Sequence, residues 1–179
     1  AFSRGRKAAS KYKQQQTPFY TKKGKEIARI DEAYDYLESA LLVRVKDFPS
    51  INKLDPFYKD LFTFVIDVDE TRKALSKINS VIKLIKTLRR EKIIKLKELK
   101  FERGANEIVS QMSREFFGRT ASLIKSLKKP IETYNDSVKK LRELPSIKTD
   151  EEVFFLAGLP NAGKSTLLGK ITESKPKVA

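Results

Sequence analysis

Apolar residues recur along most of this chain at steps of three and four, the spacing that lines one face of an α-helix. Ile27, Ile30, Tyr34, Leu37, Leu41, Val45 and Phe48 form the first such stripe, and Pro49 ends it. Asp55 followed by Pro56 predicts a capped helix start, with Phe57, Leu61, Phe62 and Val65 on the short helix behind it. Asp67 or Asp69 can cap the next helix, where Ala74, Ile78, Val81, Ile85 and Leu88 keep the period and Ile93, Leu96 and Leu99 extend it. Gly104 is the expected break. Ile108, Met112, Phe116, Leu123 and Leu127 form a further stripe; Ile131, Tyr134, Val138 and Leu141 form the last, beyond a kink expected at Pro130. Phe57-Tyr58 and Phe116-Phe117 are expected in the core. Three long amphipathic helices and a short one pack most simply as an antiparallel bundle, assigned here to residues 26–144.

The pattern changes after Leu144-Pro145. Val153-Phe154-Phe155-Leu156-Ala157 is a continuous apolar run, which is how a strand buried on both faces of a parallel sheet reads. A glycine follows at once, and a helical pattern resumes at Lys164. One strand cannot make a sheet, so residues 151–179 are expected to be the unfinished start of a second, α/β domain. The expected fold class is therefore mainly α: an antiparallel helical bundle followed by the first strand, loop and helix of a P-loop domain.

Between that strand and helix, Gly158-Leu159-Pro160-Asn161-Ala162-Gly163-Lys164-Ser165 matches G-x-x-x-x-G-K-[ST] at every fixed position. Gly158 and Gly163 let the backbone turn where a β-carbon would interfere. The N–H groups from Asn161 to Thr166 can then converge on an anion at a helix N-terminus. Lys164 offers a charge to β- and γ-phosphates, and the Ser165 hydroxyl can ligate Mg²⁺. The candidate nucleotide-binding residues are Gly158, Pro160, Asn161, Ala162, Gly163, Lys164, Ser165 and Thr166, with Ser165 also the candidate metal ligand. No catalytic residue is assigned.

Composition narrows the rest. The chain of 179 residues holds 38 Lys plus Arg against 23 Asp plus Glu, a net charge of +15, and no His, Cys or Trp. Disulfides, Cys- or His-ligated metals, thiol catalysis and Ser-His-Asp catalysis are excluded. No apolar run approaches the length of a transmembrane helix. The opening Ala1-Phe2-Ser3-Arg4 has neither a signal-peptide core nor an initiator Met, which suggests a processed or truncated chain.

The charge is uneven. Residues 1–30 hold nine bases and one acid, while residues 31–69 hold nine acids and four bases. A basic N-terminal segment, residues 1–25, mixes Arg4, Arg6, Lys7, Lys11, Lys13, Lys22, Lys23 and Lys25 with Phe2, Tyr12, Phe19 and Tyr20. That mixture reads equally as RNA contact, cations for phosphates and rings for bases, or as a solvated helix face. Arg89, Arg90, Lys92, Lys95, Lys97 and Lys100 can form a positive stripe, and Asp31, Glu32, Asp35 and Glu38 a surface that pairs with one.

The loop Gly-x-Pro-Asn-x-Gly-Lys-Ser at 158–165 resembles the version used by GTPases related to Obg. Phe48-Pro49, Asp55-Pro56-Phe57-Tyr58-Lys59-Asp60-Leu61, Ala74 with Ile78-Asn79, and Leu144-Pro145-Ser146-Ile147 are similar to Nog-type nucleolar GTP-binding proteins and their archaeal relatives. Ala1-Phe2-Ser3-Arg4-Gly5-Arg6-Lys7-Ala8 resembles the basic segment near that family's start. The resemblance covers nearly the whole chain. It implies a helical domain joined to a Ras-like G domain, GTP and Mg²⁺ as ligands, and GTP hydrolysis by the full-length protein. It also implies a role in large ribosomal subunit assembly, with ribosomal RNA or a pre-ribosomal particle as partner and no membrane. The location would be cytoplasmic for an archaeal-like protein or nucleolar for a eukaryotic one.

Asn161 sits where some potassium-stimulated relatives place a K⁺ ligand. Ala162 replaces a usual Val, and the family's switch Thr, Asp-x-x-Gly and guanine-reading Asn-Lys-x-Asp would lie beyond Ala179. Two other readings stay open: a non-enzymatic helical module that binds RNA or a ribosomal protein, and a P-loop ATPase, since the loop reads phosphates and not the base.

Overall fold

The computed structural model describes residues 1–13, 17–144, 156–160 and 162–172. It divides into two compact units, Ala1–Leu144 and Pro145–Ala179.

In the first unit, α1 (Phe2–Lys11) precedes α2 (Pro18–Asp47), and a single 3-10 turn at Ile51–Lys53 leads to α3 (Pro56–Val65). Then come α4 (Val68–Glu98), α5 (Ala105–Lys125) and α6 (Lys128–Arg142). The helix starts are set by local chemistry. Thr17 caps α2 by accepting from the Tyr20 N–H, with Pro18 in the first turn. Asp55 accepts from the Phe57 N–H at 3.0 Å, and Asp67 from the Glu70 N–H at 2.8 Å. Before α5 the backbone turns at Gly104, whose φ of +86° is a left-handed conformation that glycine adopts without strain.

Paired contacts fix the directions of the helices. Lys23 reaches the carbonyls of Lys97 and Leu99, while Arg89 pairs with Asp31, so α2 and α4 run antiparallel. Lys22 bonds to the Asn106 carbonyl, and Ser113 and Phe117 lie beside Glu26 and Arg29, so α2 and α5 run parallel. Accordingly α4 runs antiparallel to α5. It packs on α2, α5 and α6 and forms the centre of the bundle. Ile30 of α2, Ile78, Val81, Ile85 and Leu96 of α4, Val109 and Phe116 of α5, and Leu127 are fully buried together. Each stabilises the fold by roughly 1.5–3 kcal/mol, before entropy is charged against it. A buried hydroxyl pair, Thr71 and Ser137 at 2.8 Å, joins α4 to α6.

Several expectations change. A boundary at residue 25/26 falls inside α2, so the basic segment is no separate element; α1 and the start of α2 belong to the bundle. On α5 the buried positions are Val109, Ser113, Phe116 and Thr120, while Ile108 is exposed. Adjacent apolar residues at 108 and 109 both fit the period, and packing chose the second. Pro130 lies in the first turn of α6, where its missing N–H has no helical acceptor to lose, and the break falls three to four residues earlier, at Ser126–Leu127. Phe57 is exposed, against expectation, because Phe62 supplies the buried anchor of α3.

In the second unit α7 spans Lys164–Ile171. Most of the expected strand, Val153–Phe155, lies outside the described residues, and Leu156-Ala157 has no regular structure.

Candidate nucleotide site

The candidate loop is built around the start of α7. Gly158, Leu159 and Pro160 lead in without helix or strand, and the Ala162 N–H donates to the Leu159 carbonyl at 3.3 Å, closing a turn. Gly163 then takes φ +76°, left-handed backbone that a side chain would strain, and its carbonyl accepts the first helical bond from the Leu167 N–H. The N–H groups of Lys164, Ser165 and Thr166 therefore lack helical acceptors, and no side chain caps them. Asn161 lies outside the described residues.

Lys164 folds back over the loop. Its Nζ donates to the Gly158 carbonyl at 2.8 Å and the Leu159 carbonyl at 2.6 Å. The ammonium is thus already held against the turn that leads into α7. Three backbone N–H groups, one mobile cation and the hydroxyls of Ser165 and Thr166 are a donor set that suits a phosphate chain. The same Ser165 hydroxyl is chemically suited to a hard cation such as Mg²⁺. Gly158 is close to Lys164: a β-carbon there would sit 3.6 Å from the lysine Cδ. That is ordinary contact, so Gly158 is not held by space in this conformation.

The basic segment divides between structural and exposed positions. Lys22 and Lys23 are structural, donating to Asn106 and to the last carbonyls of α4, where a cation also complements the helix dipole. Phe19 is buried, Phe2 sits edge-on to Phe117, and the Tyr12 ring covers Gly24. Phe19 and Tyr12 thus pack the bundle, while Phe2 and Tyr20 stay partly exposed at 38% and 41%. Arg4 lies over the Tyr36 ring at 4.5 Å, while Arg6, Lys7, Lys11 and Lys13 stay exposed.

The stripe on α4 is likewise divided. Arg89 forms the expected pairing with the acidic cluster, through Asp31 at 2.6 Å. Lys92 is buried and bonds to Glu115, leaving Arg90, Lys95, Lys97 and Lys100 exposed. Hydrogen bonds from Lys92 and then from Gln111 hold the Glu115 carboxyl below the usual carboxylate range. Tyr34 donates to Glu38; burial first, and then that bond, push the phenol well above the usual tyrosine range. The Lys92–Glu115 pair escaped sequence reasoning, although a lysine four residues before Leu96 and four after Leu88 stood on the buried face.

Residues 1–148 match the family described as the NOG1 N-terminal helical domain. An uncharacterized protein of Methanocaldococcus jannaschii is 27% identical over 178 residues, which is 96% of this chain and 48% of that protein. Nucleolar GTP-binding protein 1 of Encephalitozoon cuniculi is 31% identical over 150 residues, 84% of this chain and 28% of the relative. The protein of that name from Saccharomyces cerevisiae is 28% identical over 169 residues, 90% of this chain and 26% of the relative. The chain thus spans between about a quarter and a half of the length of these curated relatives. With the family match running through α1–α6, the chain belongs to the NOG1 N-terminal helical domain family.

Proposed function

We propose that the protein of which this chain forms the N-terminal region binds and hydrolyses GTP, and that nucleotide state controls its docking on pre-ribosomal RNA during large-subunit assembly. The observation that carries this reading is the Lys164 ammonium held against the Gly158–Leu159 turn that leads into α7. Residues 158–166 hold the phosphates: Gly163 shapes the turn, Lys164 moves from the carbonyls to the β- and γ-phosphates, and Ser165 orients Mg²⁺. Pro160, Ala162 and Thr166 complete the cradle with Asn161, whose position in the motif is the one where a K⁺ ligand would stand. Bound Mg²⁺ would supply charge neutralisation between phosphates. The relatives are named GTP-binding proteins, which favours guanine over adenine.

The bundle supplies the RNA contact. Lys11, Lys13, Lys95, Lys97 and Lys100 are exposed at the end where α2 begins and α4 stops, and phosphate contacts of this kind weaken steeply with salt.

One experiment addresses both halves. The complete protein and its Lys164→Ala variant are titrated with labelled GTP and ATP, and then shifted onto ribosomal RNA in the presence of GTP or GDP. GTP binding is expected to vanish in the variant, the helical circular dichroism to stay, and the GTP-dependence of RNA affinity to disappear. Retained GTP affinity in the variant, equal affinity for ATP, or RNA binding indifferent to salt would overturn the reading.

A further inference from the structure

We propose that α3 is a docking surface for a cationic protein segment that bears apolar side chains. The helix is more apolar than its own attachment requires. Seen down its axis at 100° per residue, Phe62, Tyr58 and Val65 share one side, and Phe62 and the following Ile66 are buried there. Phe57, Leu61 and Phe64 share a different side at i, i+4 and i+7. Along that ridge Phe57 is 41% exposed and Phe64 is 90% exposed, with Leu61 half-buried between them. A phenylalanine with nine-tenths of its surface in water opposes the hydrophobic effect, and a row of such positions marks an interaction surface.

Charge identifies the occupant. Residues 51–70, the segment that carries α3, hold five acids against Lys53 and Lys59 in a chain whose net charge is +15. Asp55 caps one end of α3, Asp67 and Asp69 follow the other, and Asp60 lies one step from Leu61 on the ridge. Among the described residues Asp60 has no ion pair, and Asp69 holds only a long contact of 3.8 Å to Arg72 with 82% of its side chain exposed. Arg72 and Lys73 follow directly, on α4, so the acidic character is local to Asp55, Asp60 and Asp69, and Lys or Arg flanking an apolar segment is attracted there. The ridge at i, i+4 and i+7 suits an amphipathic helix laid alongside α3.

The test exploits an opposition of signs. A short labelled Lys/Leu amphipathic peptide and a Glu/Leu peptide of the same pattern are titrated into the chain, followed by anisotropy. Overall repulsion by +15 disfavours the Lys/Leu peptide, so its binding reports a local acidic site. The expected result is binding of the Lys/Leu peptide only. Phe64→Ser weakens it about tenfold and Asp60→Lys weakens it by at least about threefold, with thermal midpoints unchanged because both groups are exposed. Equal affinity in Phe64→Ser, or tighter binding of the Glu/Leu peptide, would overturn the proposal. So would a self-associated state that Phe64→Ser abolishes, which would make the occupant a second copy of this chain.

Discussion

At the residue scale two buried side-chain polar atoms lack a hydrogen-bond partner among the described residues, the Arg29 Nε and the Thr120 Oγ1. Thr120 is fully buried on α5, and among the described residues nothing accepts from or donates to its Oγ1. An unpaired buried hydroxyl costs about 1–3 kcal/mol, while valine fills the same volume without it. Thr120→Val is therefore expected to raise stability by about 1 kcal/mol, read from the urea midpoint at unchanged slope. A lower midpoint would show that the hydroxyl is satisfied. Much at this scale was legible beforehand. Asp55 was legible as a cap and Asp67 as one of two candidates beside Asp69, because a carboxylate before a helix has one local use, and Gly104 was legible as a break because glycine weakens a helix. Phe57 was not legible: pattern says which side of a helix is apolar, but not whether anything in the chain covers it. Thr120 was hidden for the reverse reason, since a threonine within an apolar stripe carries no mark of burial.

At the scale of elements, the least expected feature is the attachment of α1. Gly5 lies so close to α2 that an ideal β-carbon would be 2.5 Å from the Arg29 carbonyl oxygen, a backbone atom that cannot step aside. Close approach, not a turn, is its function. Gly118, by contrast, sits inside α5 with nothing within 4 Å of the place a β-carbon would take. Gly5→Ala is expected to lift α1 from α2 and cost about 1–3 kcal/mol, while Gly118→Ala gains up to about 1 kcal/mol from helix propensity. Hydrogen exchange separates the two, with protection lost across residues 2–11 in the first variant alone; protected α1 amides there would refute the close-packing argument. The long helices themselves were legible because α2 and α4 keep their period over about eight turns. The first helix was not, for residues 1–11 carry Phe2 as their one large apolar group and attach through a missing side chain. In the candidate nucleotide site, the loop glycine and lysine were legible as a motif. The fold-back of Lys164 onto two carbonyls was not, because a carbonyl's position depends on the turn.

For the whole molecule, net charge outweighs the individual ion pairs. Four such pairs join described residues, and those of Arg29 and Arg72 are local i, i+3 contacts, far too few to offset the repulsion implied by a net +15. Screening should therefore stabilise the fold. Raising NaCl from about 0.01 M to 0.2 M shortens the screening length from about 30 Å to below 10 Å, and the thermal midpoint is expected to climb by a few degrees. A falling midpoint would mean that attractive pairs outweigh repulsion.

The antiparallel course of α2 and α4 has one more consequence. It gathers Lys22, Lys23, Lys95, Lys97 and Lys100 at one end of the bundle, while α3 and its five-acid segment follow the opposite end of α2. Under the RNA-docking reading proposed above, a polyanion would meet the lysine end in one orientation, so its approach would carry a torque as well as a pull. Held at that end, the bundle would leave the apolar ridge of α3 open to other contacts.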